Sequence, residues 1–230
     1  MPAAVVVSCE HAACRIPQRY RPLFRHARRA LASHRGWDPG AAELGRTVAR
    51  RLDTVLLAAR WSRLLVELNR SVGHPRLFSE FSRVLSPTER TELLAACYFP
   101  HRERVREAVR QQLAAGRRVI HLGVHSFTPV LQGEVRRADV GLLYDPRRAW
   151  ERQLCEAWRQ ALRQGRPDLR MRRNYPYLGQ ADGLTTAFRR EFSDAQYAGI
   201  EVEVNQAWVG RSGWRELCRD LAETAASIRD

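Results

Sequence analysis

Two apolar runs of the chain end on residues with reactive side chains. Residues 4–11 form a hydrophobic run that closes on Glu10 and His11, and residues 119–128 form another that reaches His125 before the chain turns polar. Short apolar runs of this kind predict buried β-strands. Because open α/β sheets present ligand-binding and catalytic groups at the carboxyl ends of their strands, these ends are candidate site positions.

Two further runs have the same form. Residues 62–70 are predicted as a strand that ends on Asn69 and Arg70, and residues 199–205 as a strand that carries Glu203. Four hydrophobic segments, each with polar residues that can bind metals or transfer protons near its end, indicate one functional site rather than four unrelated structural features.

Helical patterns separate the predicted strands along the whole chain. The periodicity predicts helices over 22–34, 41–52, 88–115 (with an interruption near Pro100), 147–164, 184–190 and 214–228, and further strands over 54–59, 140–144 and 169–172. Strands that alternate with helices predict an α/β fold whose mainly parallel sheet is covered on both faces, in a single domain over residues 1–230. The polar segments 71–87 and 174–183 are predicted as loops, and 71–87 is a candidate lid.

The composition narrows the class of protein. With 230 residues, 44% of them hydrophobic, the chain can bury one sizeable core, and no apolar run approaches the roughly 20 residues of a membrane-spanning helix. The start lacks the basic region of a signal peptide. Five scattered cysteines favour reduced thiols over a disulfide framework. We therefore expect a cytoplasmic protein without a membrane partner.

The net charge of +14 invites comparison with nucleic-acid-binding proteins. All 39 basic residues are arginines, however, and they are scattered over the predicted helices without forming a compact basic block. We therefore expect no nucleic-acid partner, and a pocket that prefers anions is the better explanation of the charge.

The polar strand ends could bind a catalytic zinc ion. Such a site uses three protein ligands, usually histidines with an aspartate or glutamate, and leaves one position open for water. His11 and His125 are the candidate histidine ligands. The third ligand could be Asp38, Glu10 or His34, although Asp38 precedes a proline and also resembles a helix N-cap.

The other candidates suit the remaining tasks of a hydrolase. Glu203 is a candidate general base beside a metal-bound water, and an ion pair with an arginine is its structural alternative. Asn69 and Arg70 could hold a substrate carboxylate, because a guanidinium offers two parallel donors. Arg136 is a weaker candidate to close the pocket over a substrate.

Several of these segments, taken together, resemble the N-formylglutamate amidohydrolase family. The motifs that carry the resemblance are Ser8-Cys-Glu-His-Ala12 with Ile16-Pro17, His34-Arg-Gly-Trp-Asp-Pro-Gly-Ala41, Glu67-Leu-Asn-Arg70, His125-Ser126, Asp139-Val-Gly-Leu-Leu-Tyr144 and Glu201-Val-Glu-Val-Asn-Gln206. They follow one another in order over nearly the whole chain. The resemblance implies a phosphorylase/hydrolase-like three-layer α/β/α sandwich that holds one zinc ion. It also implies hydrolysis of a small N-acyl amino acid such as N-formylglutamate.

The resemblance also implies roles for individual residues. His11 and His125 fall on the metal-binding histidines of the family's zinc carboxypeptidase and aspartoacylase-like relatives. Those relatives carry a His-x-x-Glu metal motif, but here Cys14 stands three residues after His11. Asp38 is therefore our candidate for the missing acidic ligand, with Glu10 as the alternative.

The catalytic glutamate of those relatives corresponds to Glu203, and their substrate-holding pair corresponds to Asn69 and Arg70. The chain has neither a Gly-x-Ser-x-Gly nucleophile elbow nor a glycine-rich phosphate loop, which disfavours serine hydrolases and nucleotide-binding enzymes. The prediction is a zinc-dependent amidohydrolase. The alternative is a non-catalytic protein that binds an anion or an amino acid on the same fold.

Overall fold

A six-stranded sheet forms the centre of the computed structural model, which describes residues 2–229. The strands are β1 (Ala4–Cys9), β2 (Leu56–Ala58), β3 (Val119–Phe127), β4 (Val130–Leu131), β5 (Glu134–Val135), β6 (Val140–Leu143), β7 (Met171–Arg173) and β8 (Tyr197–Asn205). Six of them form the sheet in the order β2-β1-β3-β8-β6-β7, in which all neighbours are parallel except β6 and β8, and β4 and β5 form a separate hairpin. The predicted α/β fold with a mainly parallel sheet is confirmed.

Helices cover both faces of this sheet and make the fold three layers thick. Their bounds are α1 (Arg28–Ala32), α2 (Ala41–Arg51), α3 (Pro87–Leu93), α4 (Phe99–Ala114), α5 (Ala149–Gly165), α6 (Leu184–Glu191) and α7 (Trp214–Ala226). One face packs on α2, α5 and α7 through residues such as Leu44, Trp158 and Leu217. The other face packs on α4 and α6 through residues such as Val105 and Phe188.

The central strands are buried from end to end. Every residue of β1 and β3 is buried, as is nearly every residue of β8. A strand covered by helices on both faces is apolar at successive positions rather than at alternate ones. This explains why β1, β3 and β8 stand out in the sequence as continuous hydrophobic runs.

The predicted strand over residues 62–70 is wrong. Leu64–Leu68 is buried, but the segment is a series of turns, in which the Leu65 amide donates to the Ser62 carbonyl and the Glu67 amide to the Leu77 carbonyl. Its apolar side chains belong to a satellite core with Tyr20 and Phe24 and pack outside the sheet. A buried run thus has the composition of a strand without pairing as one.

Other boundaries differ in smaller ways. The predicted helix over 22–34 is a 3₁₀-helix (Gln18–Phe24) followed by the short α1. The predicted interruption near Pro100 is a π-helical turn over Leu94–Tyr98, between α3 and α4. The hairpin of β4 and β5 was not predicted. Among residues 2–229, no helix has the length and apolarity needed to cross a membrane.

Candidate metal centre and active-site pocket

The parallel strands β1 and β3 bring His11 and His125 together. The two strands are neighbours in the sheet, His125 lies near the end of β3, and His11 follows the end of β1 by two residues. The carboxyl ends of parallel strands meet at one edge of a sheet. The two Nδ1 atoms lie 3.2 Å apart, and both side chains are buried.

Asp38 completes a group of three potential metal ligands. Its Oδ2 atom lies 3.1 Å from Nδ1 of His11 and 3.2 Å from Nδ1 of His125. Each of the three residues offers one ligand atom, and these atoms all lie within 4.8 Å of one another. Two imidazole nitrogens and one carboxylate oxygen are ligands that a catalytic zinc site uses. This buried group could bind a metal ion.

Asp38 does not cap the helix that follows it, as its position before a proline suggested. Helix α2 has Gly40 as its N-cap residue, with φ at 82° and no side-chain cap. This positive φ belongs to the left-handed region that favours glycine. Asp38 contributes its carbonyl to the helix start, by accepting from the Ala41 amide, and its carboxylate is left to face the histidines.

The two alternative ligands lie elsewhere. Glu10 is buried on the far side of His125, where its Oε2 lies 3.3 Å from Nε2 of that ring and its Oε1 lies 3.4 Å from Nε2 of His101. The Nε2 of His125 is not aligned for a hydrogen bond to Glu10, so this contact is an ion-pair distance only. His34 is exposed, as is Cys14, and neither belongs to the group.

Each histidine therefore directs its Nδ1 atom toward Asp38 and the other histidine, and its Nε2 atom toward a carboxylate outside this group. For His11 that carboxylate is Glu67, whose Oε1 lies 2.5 Å from Nε2. Histidines that ligate metals characteristically direct their second ring nitrogen to a carboxylate or carbonyl, which fixes the ring. Sequence reasoning gave Glu67 and Glu10 no such role. The sequence feature that could have indicated this role is that each of the two glutamates lies inside a buried apolar run.

Arg63 links two of the carboxylates around the centre. Its Nε donates to Oε2 of Glu67 over 2.8 Å, and its Nη1 donates to Oδ1 of Asp38 over 3.3 Å. Burial alone would raise the pKa of Asp38, but the charge and hydrogen bond of His11, a hydrogen bond from His125 and the charge of Arg63 hold that pKa well below its usual range. The group thus keeps an ionised ligand. Arg63 was not among the sequence candidates.

Glu203 lies directly opposite His125 in the pairing of β3 with β8. It is buried, and its Oε2 has no hydrogen-bond partner among the described residues. Burial disfavours the charged form and, with the nearby carboxylates of Asp38 and Glu201, raises the pKa of Glu203 to about 8 despite the opposing charge of His125. No arginine within residues 2–229 forms an ion pair with Glu203, so the alternative explanation of this glutamate, an ion pair with an arginine, is not observed.

A pocket of about 150 Å³ opens onto these side chains. Asn69 and Arg70 line it beside the candidate metal ligands and Glu203. Asn69 accepts a hydrogen bond from the Leu184 amide at the start of α6, and Arg70 donates to the carbonyl of Asp182. Both predicted substrate-binding residues are therefore on the pocket wall, although the segment that carries them is not a strand.

Arg136 does not line this pocket. It is buried, and its Nη1 donates over 3.2 Å to the hydroxyl of Tyr177, which does line the pocket. Arg136 therefore contacts a residue of the pocket wall without lining the pocket itself. The predicted lid, residues 71–87, contributes Arg76 to the pocket lining.

The fold and this group of residues together define an α/β protein with a candidate metal centre at the carboxyl edge of its sheet. A sequence profile of the N-formylglutamate amidohydrolase family matches residues 3–209. The chain belongs to that family. Among functionally curated proteins, none shows significant sequence similarity to it.

Solved structures show the same fold. The crystal structure of a gene product of Agrobacterium tumefaciens is 30% identical, with a TM-score of 0.81, over 99% of this chain and 92% of the other. The crystal structure of N-formylglutamate amidohydrolase from Ralstonia eutropha JMP134 is 19% identical, with a TM-score of 0.73, over 99% of this chain and 93% of the other. The second likeness, at this identity, concerns the fold alone.

Proposed function

We propose that this chain is a zinc-dependent amidohydrolase that cleaves the amide bond of an N-acyl amino acid. N-formyl amino acids such as N-formylglutamate are the leading candidates, since the family and its Ralstonia eutropha member carry that name. One observation carries the proposal: three potential ligand atoms lie within 4.8 Å of one another, beside a buried glutamate oxygen that lacks a hydrogen-bond partner.

The donor set fits the proposed metal. His11, Asp38 and His125 would hold the ion through two Nδ1 atoms and one carboxylate oxygen, which is the number and kind of ligands that hydrolytic zinc sites use. A zinc ion bound there would supply an acidified water molecule and polarise the scissile carbonyl. Glu67 would keep the His11 ring in place through its contact with Nε2.

Glu203 has the position and environment of the proton-transfer group. It faces the pocket next to His125, and its Oε2 atom has no hydrogen-bond partner in the described chain, so this oxygen is available to take up and release a proton. In the proposed reaction, the carboxylate accepts the proton of the attacking water and delivers it to the departing amine nitrogen. The products are the carboxylic acid and the free amino acid.

The substrate carboxylate would be held by Arg70 with Asn69 on the pocket wall. Arg70 uses one Nη atom on the carbonyl of Asp182, so the rest of its guanidinium is available to the substrate. Arg136 would act indirectly, because it holds Tyr177 against the pocket rather than facing a ligand. The pocket volume of about 150 Å³ favours a small acyl group.

A substrate panel tests the proposal. Purified protein is loaded with zinc and assayed for amine release from N-formyl and N-acetyl derivatives of glutamate, glutamine and leucine. We expect at least one N-formyl substrate to be hydrolysed. Addition of a chelator should abolish the activity, and zinc should restore it.

The alternative function makes a different prediction for the same samples. A non-catalytic binding protein would bind N-formyl amino acids in a calorimetric titration and would release no amine from any of them. Binding without turnover in the zinc-loaded protein would therefore overturn the proposed hydrolysis and support the alternative.

A cytoplasmic location is part of the proposal. All five cysteines are free thiols, four of them buried and only Cys14 exposed. This supports a reducing compartment, since secreted domains of this size commonly use cysteines in disulfides.

A further inference from the structure

A second cavity, of about 350 Å³, lies between the segment that follows β2 and the first half of α4. Among residues 2–229, none lines both this cavity and the active-site pocket. Its volume falls in the range of small-molecule sites, which begin at about 300 Å³. The proposed function gives it no task.

Two arginines face this cavity without a neutralising carboxylate. Arg60 and Arg104 both line it, and neither forms an ion pair with any residue from 2 to 229. By contrast Arg106 and Arg110, further along the same helix, both pair with Glu191. The only hydrogen bond to a carbonyl that Arg104 makes within the described chain is to Ala58, over 3.1 Å.

The floor of the cavity adds no negative charge. It is His101, a buried residue whose Nε2 lies 3.4 Å from Glu10 and whose Nδ1 lies 3.5 Å from Nη2 of Arg104. A guanidinium can only donate, so Nδ1 is the acceptor and the ring proton is on Nε2, toward Glu10. The Glu10 carboxylate is directed at His101 and His125 from behind the floor. An occupant would therefore meet two positive charges.

The remaining wall of the cavity is apolar. Trp61, Leu68 and Pro100 contribute to it, so a ligand must bury a hydrophobic body as well as present a charge. We propose that this cavity binds a small organic anion, with its carboxylate between Arg60 and Arg104 and its apolar body against Trp61. A planar carboxylate matches the fork of donors that a guanidinium presents. This proposal does not depend on the proposed hydrolase activity.

Isothermal titration calorimetry with phenylacetate tests the site, and neutral phenylacetamide serves as the matched ligand. We expect saturable 1:1 binding of phenylacetate and at least tenfold weaker binding of phenylacetamide. The double variant Arg60→Gln/Arg104→Gln should weaken phenylacetate binding at least tenfold. The single variant Arg60→Gln removes no intramolecular hydrogen bond of the described chain and should weaken phenylacetate binding severalfold. It tests the site even if the double variant does not fold.

Two control variants separate this site from other sources of anion binding. Arg46→Gln/Arg50→Gln removes two exposed charges from α2 and should leave phenylacetate binding unchanged. Arg70→Gln reports on the active-site pocket, to which the proposed function also assigns a carboxylate ligand, so phenylacetate binding that is lost in Arg70→Gln and kept in Arg60→Gln/Arg104→Gln belongs to that pocket. Loss of binding in either control with retention in Arg60→Gln/Arg104→Gln would overturn the proposal, as would the absence of saturable binding to the unaltered protein.

Discussion

Asp38 and Glu203 are both buried carboxylates, and their surroundings move their pKa values in opposite directions. Burial raises the pKa of each. At Asp38 the neighbouring His11, His125 and Arg63 reverse this effect, whereas the Oε2 of Glu203 has no hydrogen-bond partner in the described chain. In the metal-free protein the carboxylate of Asp38 therefore stays ionised, whereas that of Glu203 exchanges a proton near neutral pH. Acid–base sites depend on this kind of separation between two titratable groups.

The substitution Glu203→Gln should abolish hydrolysis while preserving the metal. We expect kcat to fall by about 10² to 10⁴-fold, because an amide of similar shape cannot transfer the proton. Zinc content, measured by atomic absorption, should stay at the level of the unaltered protein. Glu134→Gln, at an exposed position that does not line the pocket, is the control for loss of one carboxylate and should keep kcat within about twofold. An active Glu203→Gln enzyme would contradict the assignment.

Glu203 should also make the stability of the metal-free protein depend on pH. Its pKa is raised from 4.5 to about 8 in the folded state, so folding favours the protonated form. Below pH 4.5 both folded and unfolded chains are protonated and the residue carries no penalty. As the pH rises toward 8 the unfolded chain ionises first, and stability is lost until the folded group ionises as well.

The Glu203→Gln variant removes this penalty, so it should unfold at a higher denaturant concentration than the unaltered protein at pH 8.5. The difference should reach a few kcal/mol and should shrink toward zero near pH 4.5, as measured by urea titration in the presence of chelator. Glu134→Gln, at an exposed position, is the control for loss of one charge. Equal stability of Glu203→Gln and the unaltered protein at pH 8.5 would rule out the buried-carboxylate explanation.

At the scale of elements, the sequence predicted the strands whose pattern depends on burial and periodicity. β1, β3 and β8 were located within two residues of their observed bounds, because strands covered on both faces are apolar throughout. The convergence of His11 and His125 followed from these strands, since parallel neighbours end at one edge. The sequence pattern was therefore sufficient to predict that these two histidines lie together in one site.

Features that depend on tertiary contacts were not predictable in the same way. Residues 62–70 are as apolar as a strand, but they fill a satellite core, and nothing local distinguishes the two uses of a hydrophobic run. The Asp38 carboxylate could have capped a helix or faced the site, and only its contacts with His11 and His125 in the folded chain show which task it performs. Glu67 contacts His11 across 56 positions of sequence, a pairing that requires the folded chain.

The loop over residues 174–183 should be displaced by the substitution Gly141→Ala. A Cβ atom on Gly141, in β6, would lie 1.8 Å from the backbone carbonyl oxygen of Tyr175, so the loop must move. The same loop carries Tyr177 and Asp182 to the pocket. We expect a loss of about 1 to 3 kcal/mol in stability and a fall of tenfold or more in kcat/KM.

Gly165→Ala is the matched control for that substitution. Gly165 ends α5, and a Cβ atom there would have no atom of the described residues within 4 Å. We expect this variant to keep both the urea midpoint and kcat/KM. If Gly141→Ala lost stability but kept full kcat/KM, the packing of the loop on β6 would not be what shapes the pocket.

At the scale of the whole molecule, the candidate centre joins parts of the chain that are far apart in sequence. His11 follows β1, Asp38 lies before α2, and His125 is in β3, so the first and last ligands are 114 positions apart in the sequence. The unfolded chain cannot hold these side chains together. A metal ion that binds the folded state alone stabilises it by mass action.

Zinc should therefore raise the thermal unfolding midpoint of the metal-free protein. At a free zinc concentration of 100 times Kd the stabilisation is about 2.7 kcal/mol, which for a chain of this size corresponds to about 5 to 10 °C. Asp38→Asn should lose most of this shift, because it removes the anionic ligand, whereas Glu203→Gln should keep it. Differential scanning calorimetry with and without zinc measures the shift. An equal shift in Asp38→Asn would place the bound zinc at some other site and remove the basis for metal-dependent hydrolysis at this one.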